Sequence, residues 1–439
     1  MTGVTNNKRH ALVFGGTGLL GWGVVNELLS GYPERGDAAF DRVTAVTNRP
    51  LKLEDTYWPG TASPSSSSSL SGIPELQICS GVDLLQEDLA DTLENGVPGI
   101  EGVTHVFYFV FTSFPSDFEH ECALNCGMMR RVAAAMNKLC PGLESFVYSG
   151  GTRGYGIYDP SIAFSTPLEE RMASQLPESY AKTVAYPWFR EILTAAAKGR
   201  GWAWTEVCPD VVVGFSPIGS GYSLALHWAQ YLSLYAFNHG VGIPDPNAAA
   251  EGRRKAVVEV PFPGTAAGFD ARFTPVSTRT LGRISIFASL GLDLAGKKQK
   301  PLDRQVVNAL DDPTPTTFCE LWPEIAGWFG LVGVGPPSSS SSDEDEDNTD
   351  KAGGDAPSEY IAKHRHLFAE HGRPRGVTAG VGAGSKQLDA VGYWLNFDRP
   401  LSAEKLRDAG YAFAERRPQP AAAAWMEAFE RFRAAGIIF

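Results

Sequence analysis

The stretch Ala11-Leu-Val-Phe-Gly-Gly-Thr-Gly-Leu-Leu-Gly21 constrains the fold more than any other part of the chain. Four apolar residues lead into Gly15, Gly18 and Gly21, spaced GxxGxxG. The run reads as a buried strand, a tight turn and the start of a helix. Gly15 frees the backbone for the turn, Gly18 lets a pyrophosphate approach the main chain, and Gly21 lets helix and strand pack closely. The helix start adds free N–H groups and the positive end of its dipole, both suited to phosphate. Three glycines alone are a weak signal. Placed after an apolar strand and before a second one, they point to a dinucleotide site built on Gly15, Thr17, Gly18, Leu19, Leu20 and Gly21.

The residues up to about 215 alternate between two patterns. Short β-rich runs cover 11–15, 42–47, 76–79, 105–111, 145–149 and 204–207, with helical stretches at 18–29, 121–139 and 186–198. Strand–helix alternation with apolar strands predicts an α/β fold, a doubly wound parallel sheet covered on both faces. From about 216 long aromatic-rich helices take over, as at 224–238 and 421–435. The expected organisation is therefore a nucleotide-binding core over 1–215 and a helix-rich substrate lobe over 216–439. Two insertions interrupt it, a Ser-rich one at 61–72 and a Ser/acidic one at 335–357; both are too polar to pack and are expected to be disordered. Six of the acids behind the net charge of −12 sit between Asp343 and Asp350, so the rest of the chain is only modestly acidic. No basic face recruits nucleic acid.

The end of the second strand bears on which dinucleotide is bound. An acid there would hold the ribose 2′-hydroxyl of NAD. Here Val43–Thr47 runs into Asn48-Arg49-Pro50, while Asp41 precedes the strand, at the wrong end. An arginine without a carboxylate suits a 2′-phosphate, so NADPH is the expected cofactor. Asp83 and Leu84, after the third strand, are placed to hold the adenine ring. Phe109 and Val212 complete the expected cofactor contacts.

Further motifs follow in order: His105-Val-Phe-Tyr-Phe-Val-Phe-Thr112, Asn125, Gly150-Gly-Thr-Arg-Gly-Tyr-Gly156, Ala185-Tyr-Pro187, Pro209-Asp-Val-Val-Val-Gly-Phe-Ser-Pro217 and Phe429–Gly436. Together they resemble the atypical extended short-chain dehydrogenase/reductases, more narrowly the progesterone 5β-reductase/iridoid synthase-like (PRISE-like) family, over nearly the whole chain outside the insertions. The resemblance implies a Rossmann-type fold with a C-terminal substrate lobe. It also implies a catalytic tyrosine at Tyr186 and a lysine position that falls here on Arg153, or on Thr152 if the gap is placed differently. Phe111 stands where the family often has tryptophan, and Cys208 where arginine is usual. The substrate wall implied by the resemblance includes Phe111, Tyr155 and Tyr222. Phe114, Trp228 and Tyr231 are further aromatic candidates for an apolar pocket, which would suit a hydrophobic small molecule.

Hydride delivery to a carbonyl or an enone builds charge on oxygen, which a donor must meet. Arg153 could stabilise that charge, but guanidinium does not relay protons. Ketone reduction needs prompt proton delivery to the alkoxide, whereas enone reduction needs the enolate stabilised first. The expectation is thus an NADPH-dependent reductase of an activated C=C in an apolar small molecule, with specialised metabolism as the setting. The alternatives are a carbonyl/alcohol oxidoreductase using the same Tyr186 and a non-catalytic NADP(H) sensor. Six cysteines without a CxxC pair give neither a disulfide framework nor a metal site. The sequence offers no spanning helix or signal peptide, so a cytoplasmic location without membrane partners is expected. A homodimer remains open.

Overall fold

The computed structural model describes residues 8–33, 39–59, 73–241, 257–291, 300–337, 355–380, 385–413 and 422–439. The Ser-rich insertion and residues 338–354 of the acidic one lie outside the described residues.

Seven strands form one sheet: β1 (His10–Phe14), β2 (Arg42–Thr47), β3 (Glu75–Ser80), β4 (His105–Tyr108), β5 (Ser145–Ser149), β6 (Ala203–Pro209) and β7 (Gln305–Ala309). Their spatial order is β7-β6-β5-β4-β1-β2-β3, and every neighbouring pair is parallel. This is a Rossmann-type doubly wound sheet. All five residues of β1 are buried, as a central strand covered on both faces requires.

The covering helices are α1 (Leu19–Leu29), α2 (Leu89–Gly96), α3 (Phe118–Leu139), α4 (Ala185–Ala197) and α5 (Thr278–Leu290). On one face Val106, Tyr108, Phe146 and Tyr148 of the strands share a core with Leu93 of α2, Met129, Val132 and Met136 of α3, and Phe189 and Leu193 of α4. On the other, α1 packs on α5. A Cβ on Gly282 would stand 3.2 Å from the Gly23 carbonyl oxygen, so the two helix backbones lie close. The nearly buried Glu27 pairs with Arg283 across this contact at 2.8 Å.

The chain divides into two compact units. The first takes residues 1–211, 275–313 and 401–414, and the second 212–274, 314–400 and 415–439. The sheet is therefore completed late in the chain: α5 and β7 come from 275–313, beyond the stretch whose alternation announces a sheet. Asn308 of β7 secures the return, its amide donating to the carbonyls of Leu168 and Ser402, each at 3.0 Å.

The second unit is built on the almost wholly buried helix Leu224–Asn238, which Ser223 caps through the Leu226 N–H at 3.2 Å. Trp228 stacks on Trp425 at 5.1 Å between ring centres and meets Phe318 and Trp322 edge-on at 5.2 Å. Trp228 and Tyr231, offered by the sequence as pocket-wall aromatics, are core residues of this unit, 1% and 7% exposed. Aromatics at helical spacing fill an interior here, as they more often do. Among the described residues no helix is long and apolar enough to cross a membrane.

One buried ion pair braces the end of the sheet. Glu206, wholly buried on β6, accepts from Arg190 of α4 at 2.8 Å and from the Tyr148 hydroxyl at 2.7 Å. Its other oxygen has no hydrogen-bond partner among the described residues and faces the Cα of Gly150, where a Cβ would collide with the carboxylate. Burial pushes the Glu206 carboxyl up, against the pull of Arg190 and Tyr148. Removing Arg190 strands this charge, a change that costs about 3–5 kcal/mol when it leaves a buried ion uncompensated. A carboxyl raised by folding binds its proton more tightly in the folded state, so stability falls as pH rises above the ordinary carboxylate value. Arg190→Met is therefore expected to destabilise more at pH 8 than at pH 5, measured by urea unfolding. Equal losses at both would show that Glu206 carries no charge in the folded protein.

Candidate active site

The strand order places β1 between β2 and β4, and the ends of these strands carry most of the expected cofactor residues. At the β1–α1 turn Gly15 has φ +78°, and a Cβ there would stand 2.5 Å from the Phe109 carbonyl oxygen. The N–H groups of Gly15 and Gly16 donate to the Val46 carbonyl at 3.1 and 3.2 Å, and that of Gly18 to Gly15 at 2.9 Å. A Cβ on Gly21 would run into the Gly15 carbonyl, so glycine is what lets α1 start this close to the turn. Among the described residues the only close neighbour of a Cβ added at Gly18 is the Gly15 carbonyl at 3.3 Å.

Gly18 caps α1 without a side chain, and no acid occupies the helix's first turn. The first-turn N–H groups, those of Leu19 and Leu20 included, have no partner within a helix and no cap to satisfy them. With half-buried Thr17 beside them, they form a cradle that fits a dinucleotide pyrophosphate.

Past β2, Asn48 and Arg49 are exposed. Thr47 fixes their turn, its hydroxyl donating to the Arg49 carbonyl at 2.8 Å. Among the described residues no carboxylate pairs with Arg49. Past β3, Val82 donates to the Thr47 carbonyl at 3.1 Å, tying the two strand ends together. The Asp83 carboxylate accepts from the Leu85 N–H at 2.9 Å, and the Leu84 side chain is core. Phe109, half-buried, continues β4 by donating its N–H to Phe14 at 3.1 Å. Val212 and Tyr222 belong to the second unit, half-buried and exposed respectively.

Tyr186 sits in the first turn of α4, where Pro187 is tolerated because its missing N–H would have no helical partner. The ring is half-buried. Gly154 lies against it, with room for a Cβ only 3.0 Å from Cδ2, and Gly151 flanks the hydroxyl, where a Cβ would be 3.4 Å away. Phe111, 41% exposed, faces the ring at 6.0 Å. Among the described residues the Tyr186 hydroxyl has no hydrogen-bond partner. Burial pushes its ionisation well up, and the nearby Arg153 charge opposes this only in part.

Arg153 is not a free cation. Its guanidinium donates at 2.5 Å both to the Glu121 carboxylate and to the Thr183 carbonyl, and lies 4.3 Å from the Phe118 ring centre. Glu121, 2% exposed, also accepts from Ser113 and from the Phe114 N–H, each at 2.8 Å. Asn125, one turn further along α3, clamps Thr112 from both sides, at 3.0 and 2.7 Å. The loop after β4 is thus held to the same carboxylate as Arg153. Sequence reasoning missed Glu121; its only signal was an acid four residues before Asn125, one helical turn away.

Two further residues sit differently from their expected roles. Tyr155 is 2% exposed and donates its hydroxyl to Asn308 at 2.6 Å. It is a buried brace between the loop after β5 and strand β7, not an open substrate wall. Thr152, the other candidate for the family's lysine position, donates to Asp210 at 3.0 Å and stands 3.1 Å from the Tyr158 hydroxyl. Cys122 and Cys126, with sulfurs 4.0 Å apart, are buried free thiols. No group suited to hold a metal ion occurs among the described residues.

Comparison with known proteins agrees with the Rossmann-type fold. A family model described as a PRISE-like Rossmann-fold domain matches residues 11–439. The short chain dehydrogenase ausT of Aspergillus calidoustus is 28% identical over 99% of this chain and 95% of its own. An (S)-8-oxocitronellyl enol synthase of Nepeta cataria is 28% identical over 31% of this chain and 34% of its own. Among solved structures, the UDP-glucose 4-epimerase of Thermus thermophilus, in complex with NAD, is similar with a TM-score of 0.54 at 14% identity, covering 97% of this chain and 99% of that one. That last likeness is one of fold alone. The chain belongs to the PRISE-like Rossmann-fold family, within the oxidoreductase-type short-chain dehydrogenase/reductases.

Proposed function

We propose that the protein is an NADPH-dependent reductase of an activated C=C bond in an apolar small molecule, acting in specialised metabolism. The observation that carries this reading is the Tyr186 hydroxyl, unpartnered among the described residues and flanked by Gly151, in the same unit as a glycine turn that fits a dinucleotide pyrophosphate. NADPH supplies the hydride when bound. The cradle of Gly15, Gly18, Leu19 and Leu20 would hold its pyrophosphate, and Asn48 and Arg49 its 2′-phosphate.

The site's electrostatics favour an enone over a simple ketone. Burial keeps Tyr186 protonated, and Glu121 balances the charge of Arg153. A neutral, partly desolvated phenol is a good hydrogen-bond donor and a reluctant acid. It can stabilise the oxygen of an enolate, where charge is spread over oxygen and carbon. A localised alkoxide demands a full proton at once. Phe111, exposed over Tyr186, gives an apolar surface for the substrate.

Two measurements test the reading. With 2-cyclohexen-1-one or 4-phenyl-3-buten-2-one as substrate, Tyr186→Phe should lower kcat on the order of a hundredfold, the loss typical of one oxyanion donor. Consumption of NADPH with saturated ketones but not with these enones would favour carbonyl reduction instead. Arg49→Ala should weaken NADPH binding about tenfold, as for a lost charged hydrogen bond, and leave NADH binding nearly unchanged, read by cofactor fluorescence. Equal weakening of both would remove the 2′-phosphate from Arg49.

A further inference from the structure

The two terminal nitrogens of the Arg153 guanidinium point to partners on different segments. One donates to the Glu121 carboxylate on α3, the other to the Thr183 carbonyl, three residues ahead of Tyr186. The main chain of Arg153 is tied to the same segment, its carbonyl accepting from the Tyr180 hydroxyl at 3.0 Å. Arg153 thus joins the loop after β5 to α3 and to the stretch that leads into Tyr186.

The bonds continue from Glu121 into the loop after β4. Its second oxygen accepts from the Ser113 hydroxyl and the Phe114 N–H, each at 2.8 Å. One turn on, Asn125 binds Thr112 at both its N–H and its carbonyl, and donates to the Glu121 carbonyl at 2.8 Å. Residues 112, 113 and 114 are therefore each fastened to α3, and Phe111 precedes them directly. The two ends of this chain of bonds meet again, because the Phe111 ring lies 6.0 Å from that of Tyr186. An arginine fork fixes direction as well as distance. A carboxylate as buried as Glu121 makes each of its bonds strong and the loss of its cation costly.

We infer that Arg153, Glu121 and Asn125 form a clamp that sets the Phe111 wall against Tyr186 and so selects enones carrying a bulky apolar group. Arg153 and Glu121 are then positioning residues, acting through Phe111 and Tyr186 and not on the reacting oxygen. The selectivity rests on the reductase reading above; the clamp itself does not. Phe111, 41% exposed, offers its ring to the substrate, and an apolar contact counts only where that ring is held in place. A substrate with an aryl group beside the enone uses that contact, whereas a small cyclic enone makes little of it.

The test uses the full chain and the variants Arg153→Met and Glu121→Gln. Amide hydrogen exchange, read without cofactor or substrate, should show each variant loosening the far end of the clamp. Without its cation the Glu121 carboxylate must protonate or turn to water, so the Phe114 amide should exchange faster in Arg153→Met. Without its carboxylate the guanidinium loses an anchor, so the Thr183 and Val184 amides should exchange faster in Glu121→Gln. Changes confined to each variant's own neighbours overturn the clamp. With NADPH, both variants should lower kcat/KM for 4-phenyl-3-buten-2-one about tenfold and for 2-cyclohexen-1-one about threefold or less, with NADPH binding unchanged. The double variant should be no worse than the more affected single one, as for residues that act as a unit. A cation acting directly on the oxygen gives the opposite pattern: Glu121→Gln releases it and keeps or raises kcat, while Arg153→Met lowers both enones equally. That pattern overturns the positioning role. Should Arg153→Met fail to fold, the exchange at Thr183 and the direction of kcat in Glu121→Gln decide the matter. No NADPH consumption by the wild-type protein with either enone overturns the reductase reading and the selectivity, and the exchange result alone then judges the clamp.

Discussion

A parallel sheet whose central strand has neighbours reached from opposite directions leaves a crevice at the strand ends, and the first unit is organised around that constraint. β1 pairs with β2 on one side and β4 on the other, so the connections leaving them diverge to the two faces. The divergence exposes the turn after β1, where the chain must be narrow enough for a ligand and close enough for α1 to pack. Gly15 and Gly21 meet the second demand, since a Cβ on either would strike main-chain carbonyls. Gly18 meets the first. The same crevice receives the ends of β4 and β5, which is why Phe111, Gly151 and Tyr186 stand together although they are far apart in sequence.

Electrostatics then separate the two groups that sequence alone would join as a catalytic pair. Arg153 lies near Tyr186, but its guanidinium is oriented by Glu121, the Thr183 carbonyl and the Phe118 ring. Glu121 in turn fastens the loop after β4 through Ser113 and Phe114. The ion pair therefore fixes the shape of two site loops and leaves little net charge to lower the Tyr186 ionisation. A lysine would hold the same carboxylate as a point charge with rotatable donors; the arginine fork locks geometry instead.

The sequence made the first unit legible where periodicity and glycines act locally. β2 and β5 fall where apolar spacing puts them, as does the helix Leu224–Asn238 of the second unit, and the glycine turn needs no tertiary information. The seventh strand was not legible, because Gln305–Ala309 and the helix Thr278–Leu290 before it come after the aromatic-rich stretch of the second unit, where the strand–helix alternation has already given way. Tyr155 shows the same limit at the site. Its aromatic ring and its place in a motif suggest a substrate wall, but whether a hydroxyl faces a cleft or a strand depends on Asn308, 153 residues away. Trp228 and Tyr231 went the same way, because a helix rich in aromatics carries no mark of whether its neighbours are protein or ligand.

Burial at Tyr186 has opposing consequences, and their balance bears on the chemistry. Desolvation strengthens the hydrogen bond a neutral phenol can give to a charged oxygen, and it raises the barrier to surrendering the proton. A free cation beside the hydroxyl would relieve the second effect; here Glu121 withholds it. Two glycines along one edge of the ring, Gly151 and Gly154, let the loop after β5 lie close against the phenol. The site is thus better suited to holding an oxyanion than to protonating one by its tyrosine alone. Reactions that form a delocalised anion and can wait for their proton make use of both halves of that balance, whereas reactions that need an immediate acid are hindered by the second half.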